Sequence, residues 1–139
     1  MLKNVLFGGE SGLSVWANAG LALLRIYAGI ALAFAHGINK LPPSDAFIER
    51  AGSFGFPIPV LFAWSAAFSE FIGGIFLAIG LFTRISSFFI MCTMLTALVF
   101  VHWSDPFGRQ ELPFFYFFAA IAFLLKGSGD WSLDAFLRK

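Results

Sequence analysis

The chain has 139 residues, enough for one domain, and a formal net charge of +1. It is 59% hydrophobic and 12% charged, against roughly 25% charged for an ordinary soluble domain. That leaves too little polar surface for a soluble monomer, and the near-neutral balance excludes a nucleic-acid partner. A single cysteine, Cys92, excludes an internal disulfide and a Cys-x-x-Cys redox pair.

A membrane-spanning helix needs about 20 apolar residues. The first such stretch is 16–38, with Arg25 inside it. Arg25, the apolar run after it and Ala33-Phe34-Ala35 imitate a signal peptide with its cleavage site. An n-region of about 25 residues is too long for one, so the stretch reads as a spanning helix. Pro42 and Pro43 stop it. Ser44 caps a short amphipathic segment over 45–52, with Phe47 and Ile48 toward the membrane. Pro59 suits the first turn of a second helix over 60–82. A tight link around Arg84 leads to a third helix over 85–101. The next link holds Trp103, Asp105, Pro106, Gly108 and Arg109, and Pro113 opens a fourth helix over 112–125. That helix is short for a span. Its aromatic run, 114–118, suits lipid and interface, so it is expected to cross with little tilt or a thinned bilayer. A Ser132-capped turn closes the chain. The prediction is a single membrane domain over 1–139: all-α, integral to the membrane, a four-transmembrane-helix up-down bundle.

The polar residues inside these stretches carry the chemistry. Glu70 stands mid-way along the second helix, where a carboxylate is costly without a partner or a task. Ala63, Ala66, Ala67, Glu70, Gly73 and Gly74 fall on one stripe of small residues, so Glu70 is expected to face the bundle interior. Arg25, Gly29, Leu32 and His36 form a similar stripe on the first helix. With the two helices antiparallel, Arg25 and Glu70 meet near mid-depth as an intramembrane pair, either a proton or quinone site or a lock on helix packing. His36 and His102 end helices on the same side, near Lys40. They suit a ligand headgroup, a proton exit or interfacial polarity, and a quinone carbonyl suits a histidine donor with Trp64 or Phe114 stacking on the ring. The candidate ligand set is thus His36, Lys40, Trp64 and His102. Two histidines are the bare minimum for axial haem ligation, with no attachment motif in support, so haem is not expected. Two His plus Asp105 lack zinc spacing, so no metal is expected either. Cys92 reads as a small packing residue, with Thr93 and Thr96 bonding to backbone or across the seam.

Several short stretches, in order and spacing, resemble the DoxX family of small four-helix bacterial membrane proteins, from about residue 23 to 137. They are Leu24-Arg25, His36-Gly37-Ile38-Asn39-Lys40-Leu41, Phe54-Gly55-Phe56-Pro57, Glu70-Phe71-Ile72-Gly73-Gly74, Gly80-Leu81-Phe82-Thr83-Arg84 and Ser132-Leu133-Asp134. The family is similar to subunits of quinone-linked oxidoreductases, which implies a membrane redox context; the expected partners are the lipid bilayer and other subunits of a membrane complex, no cofactor is bound by a clear motif, and quinone is the candidate. The expected function is a small membrane subunit of a quinone-linked redox system, anchoring a partner or contributing to a quinone site, and not catalytic alone. The alternatives are a non-enzymatic accessory or assembly subunit, or a carrier or sensor of a small lipophilic compound. Lys3, Arg84, Lys126, Arg138 and Lys139 on one side outweigh Lys40, Arg50 and Arg109 on the other. The expectation is a multi-pass protein of the bacterial inner membrane with both termini cytoplasmic.

Overall fold

The structure, a computed structural model, describes residues 8–9 and 12–139; Lys3 lies outside them. Every regular element among the described residues is a helix, with no strand. Helix α1 runs Val15–Lys40. It is α-helical over Val15–Ala31, widens to a π-helix over Leu32–Gly37 and tightens to a 3-10 turn over Ile38–Lys40. Ser14 caps it, its hydroxyl accepting the Ala17 N–H at 3.2 Å. Helix α2, Asp45–Ser53, is the expected amphipathic segment, and Ser44 caps it by accepting the Phe47 N–H at 3.3 Å. Helix α3, Pro59–Ile79, begins on its proline and ends at Gly80, whose φ of 70° only glycine adopts readily.

Helix α4, Thr83–Val101, ends in a second π-helical stretch over Ala97–Val101. Helix α5, Phe107–Lys126, has 20 residues. It starts ahead of the expected residue 112, so Pro113 lies inside it rather than opening it. The Gln110 amide makes the early start possible, donating to the carbonyls of His102, Trp103 and Asp105. Helix α6, Leu133–Arg138, is a short C-terminal turn capped by Ser132.

Among the described residues three helices, α1, α3 and α4, are long and apolar enough to cross a membrane. Helix α5 is long enough, but Arg109, Gln110 and Glu111 occupy its first two turns. Helix α3 packs on α1 and α4, and α4 on α5. Their shared core joins Ala28, Leu32, Leu77, Ile90, Met94, Tyr116, Ala120 and Phe123. Large apolar side chains such as Leu23, Phe89, Phe118 and Leu125 point outward. In water that surface would be a liability; in hydrocarbon it is the expected exterior.

The α1–α3 seam is the closest contact, and glycine makes it so. A Cβ on Gly29 would collide with the Gly74 carbonyl and lie 2.6 Å from the Ala78 nitrogen. One on Gly37 would lie 2.5 Å from the Phe71 nitrogen and 2.7 Å from the Glu70 carbonyl carbon. Backbones in lipid approach this closely only over glycine or other small residues. The pairings also fix the register: α1 and α3 run antiparallel, with Gly37 level with Glu70 and Gly29 level with Gly74.

Candidate functional site

Glu70 points inward, as its stripe of small residues requires, and is 2% exposed. Its partner is Lys40, not Arg25. The Lys40 ammonium lies 2.6 Å from each carboxylate oxygen, and it also sits 5.8 Å over the Phe47 ring. The expected Arg25–Glu70 pair does not form, and the register explains why. Glu70 is level with Gly37, and Arg25 lies about twelve residues earlier, about 18 Å along the axis. What does lie level with Glu70 is the end of α1, whose final 3-10 turn carries Lys40.

Arg25 serves a different structure at the opposite end of the molecule. It packs against Gly80 and donates to the carbonyls of Ser128 at 3.0 Å and Trp131 at 2.8 Å. Asp134, in the same C-terminal segment, accepts the N–H groups of Phe82 and Thr83 at 2.8 and 2.9 Å. Phe82 has a φ of 47°, a left-handed backbone that a bulky residue rarely adopts. The carboxylate holds it there. Nearby, Asp130 accepts the Asn18 amide at 3.0 Å and the Leu13 N–H at 3.2 Å. The Asn18 hydrogen bond holds the Asp130 carboxyl below its ordinary value, against partial burial; the backbone donors and Arg138 add to the shift. Residues 128–138 thus form a polar strap across one end of the helices.

The other candidates separate. His36, half-buried, lies edge-on to Tyr116 with ring centroids 6.0 Å apart. His102 holds Asp105 at 2.8 Å through Nδ1, in the link before α5. No hydrogen bond or ion pair joins the two histidines or ties either to Lys40 among the described residues. Trp64 points outward on α3 and packs on Phe68 at 5.1 Å, away from the Glu70 face. Phe114 stacks on Phe118. Cys92 is exposed on the apolar exterior rather than packed in the core, and Thr96 donates to its carbonyl at 2.9 Å, the backbone bond expected of a hydroxyl there. Among the described residues no three His, Cys, Asp or Glu side chains converge.

A groove of about 440 Å³ runs between α1 and α5, lined by Tyr27, Gly108, Glu111, Leu112, Phe115 and Tyr116. Tyr116 is 5% exposed. The Glu70 charge and the Tyr27 hydroxyl lie within electrostatic reach of it. The aromatic run alone suggested lipid and interface for Tyr116. The signal for an inward face was the spacing Tyr116, Ala119, Ala120, Phe123, all four buried. A second pocket, of about 270 Å³, opens beside Lys40 and α2.

The DoxX family model matches residues 20–103. A Bacillus subtilis (strain 168) protein described as "Putative oxidoreductase CatD" is 34% identical over 121 residues, covering 86% of this chain and 88% of that one. No solved structure matches.

Proposed function

The chain belongs to the DoxX family, and on that premise we propose that it is a small integral membrane subunit of a quinone-linked redox system, anchoring a partner and contributing to a quinone site. The relative's description as an oxidoreductase supports the redox context. The observation that carries the quinone reading is the groove between α1 and α5. Its residues fit a quinone: phenol hydroxyls of Tyr27 and Tyr116 are donors for ring carbonyls, and Leu112 and Phe115 offer apolar surface to the ring. A bound quinone would supply two-electron, two-proton chemistry. In this reading Tyr116 orients the ring from the bundle side. Glu70, paired with Lys40, contributes to the electrostatic field around that hydroxyl. The redox centres are assigned to the partner.

In the same reading all four long helices span the bacterial inner membrane as an up-down bundle, with both termini cytoplasmic. The 20 residues of α5 give about 30 Å of helix, the thickness of the hydrocarbon core. A second reading, an accessory or assembly subunit, is favoured by one observation: the Lys40 ammonium contacts both Glu70 oxygens and balances their charge, as a structural pair would.

Glu70→Gln separates the two. The quinone reading expects the variant to insert and assemble while quinone-dependent turnover of the whole system falls on the order of tenfold or more, as when one preorganised electrostatic group is lost. The accessory reading expects loss of assembly with no separate kinetic defect. Turnover equal to wild type at full assembly would overturn the quinone role of Glu70. Saturable thermal stabilisation of the isolated chain by a lipophilic compound would move the reading to a carrier or sensor.

A further inference from the structure

We propose that the pocket beside Lys40 binds the monoanionic phosphodiester of a headgroup. It is lined by Asn39, Lys40, Ser44, Ala46, Phe47 and Arg50, and its volume is about 270 Å³. The argument rests on which hydrogen-bonding atoms remain unused there. Lys40 has three ammonium protons and directs two at the Glu70 oxygens. The Ser44 oxygen accepts the Phe47 N–H, leaving its own proton free. The Asn39 amide donates one proton to the Ala35 carbonyl and keeps the other. Arg50 makes no side-chain ion pair or hydrogen bond among the described residues, so its planar fork is uncommitted. Each polar side chain in the lining therefore has a donor to spare. A ligand that only accepts, a phosphate oxygen set, matches that inventory.

Charge sharpens the class. Glu70 already balances Lys40, so Arg50 supplies the net charge of the pocket. Asp45 and Glu49, on the same short helix, are exposed and outside the lining. One net positive charge suits a phosphodiester better than a doubly charged monoester. Phe47 and Ala46 form an apolar wall for the glycerol carbons. A membrane phospholipid and a free glycerophosphodiester present the same chemistry.

The test uses the full chain in neutral detergent and reads thermal unfolding. The probes are dioctanoyl phosphatidylglycerol, dioctanoylglycerol and glycerophosphoglycerol. The proposal expects saturable stabilisation by the phosphatidylglycerol and none by dioctanoylglycerol, which has the chains without the phosphate. Arg50→Gln is expected to raise the half-saturating concentration on the order of tenfold, with the unliganded Tm unchanged. Arg109→Gln, an exposed cation at the same end of the molecule, is expected to leave it alone. Stabilisation by glycerophosphoglycerol as well supports a free phosphodiester as the ligand; stabilisation by the lipid alone supports a membrane headgroup. Equal response to both dioctanoyl compounds, no saturable response to any probe, or equal weakening by the two arginine variants would overturn the proposal.

Discussion

Glu70 and Lys40 divide the work of an intramembrane charge unequally. Glu70 is the more costly partner, 2% exposed and unable to reach water. The Lys40 side chain is 35% exposed and extends from the end of α1 down to the carboxylate. Removing one side of such a pair leaves a buried charge unmatched, while removing both leaves none. Lys40→Met is therefore expected to destabilise the protein by about 3 kcal/mol, the low end of the range for buried pairs because Lys40 is partly hydrated. Lys40→Met with Glu70→Leu is expected to recover at least half of that loss. Denaturation in a single detergent, compared across the double-mutant cycle, checks both. A double variant less stable than Lys40→Met would show that the pair is not the source of the cost. The pairing was half readable in the sequence. The small-residue stripe gave the direction of Glu70, but the choice between Arg25 and Lys40 depends on a vertical offset that no single helix encodes.

That offset is set at the level of elements, by glycine. Gly29 and Gly74 let the α1 and α3 backbones touch, and a Cβ on Gly74 would fall 2.8 Å from the Gly29 carbonyl oxygen and 3.0 Å from the Ala33 nitrogen. Backbone cannot step aside as a flexible side chain would. Gly29→Ala is accordingly expected to destabilise by about 2 kcal/mol or more, at the upper part of the range for overpacking. Gly20, on the same helix, has open space where its Cβ would go. Gly20→Ala is expected to be neutral or to stabilise by up to about 1 kcal/mol through helix propensity. Thermal unfolding of the two variants side by side separates the seam from propensity; equal effects would mean that the close contact at Gly29 carries no weight. The starts of two elements were readable from punctuation, Ser44 before α2 and Pro59 opening α3; the close of α3 at Gly80 was not, because the apolar run continues to residue 82. The start of α5 was not, because hydropathy discards Arg109, Gln110 and Glu111, and only the Gln110 bonds to three carbonyls show why the chain turns helical there. Tyr116 was hidden for a related reason, since one inward aromatic inside an aromatic run has no contrast with its neighbours.

For the whole molecule, the C-terminal strap ties together helices that are far apart in sequence. Arg25 in α1 reaches Ser128 and Trp131, and Asp134 reaches the turn between α3 and α4. Such links cannot be read from a sequence, because each joins residues 51 to 106 positions apart whose local patterns carry no sign of one another. The strap differs from the Lys40–Glu70 pair in that Arg25 donates to carbonyls, while the Asp134 carboxylate, within electrostatic reach of it, accepts from the Phe82 and Thr83 N–H groups instead. Asp134→Ala removes both acceptors at the left-handed Phe82 and leaves two N–H groups unpaired, each costing about 1–3 kcal/mol if water does not reach them. Asp134→Asn keeps one acceptor oxygen and is expected to lose less. Acid should act on the same region through Asp130. Its carboxyl is held below the ordinary value in the folded state, mainly by Asn18. The stability it contributes is therefore fully present above the unfolded value of about 4 and is lost as the pH falls through the folded one. Hydrogen exchange of the 82–83 amides, followed from pH 7 to pH 3 in wild type, Asp130→Asn and Asp134→Ala, tests the strap as one unit. A continuous strap expects protection at 82–83 to fall in Asp134→Ala at every pH. With the intrinsic pH dependence of exchange divided out, wild type should lose protection only at the acid end, with Asp130→Asn already poorly protected at neutral pH. Protection at 82–83 that ignores Asp130 at all pH values would mean that the two carboxylates hold separate ends of the chain and that no common strap joins them.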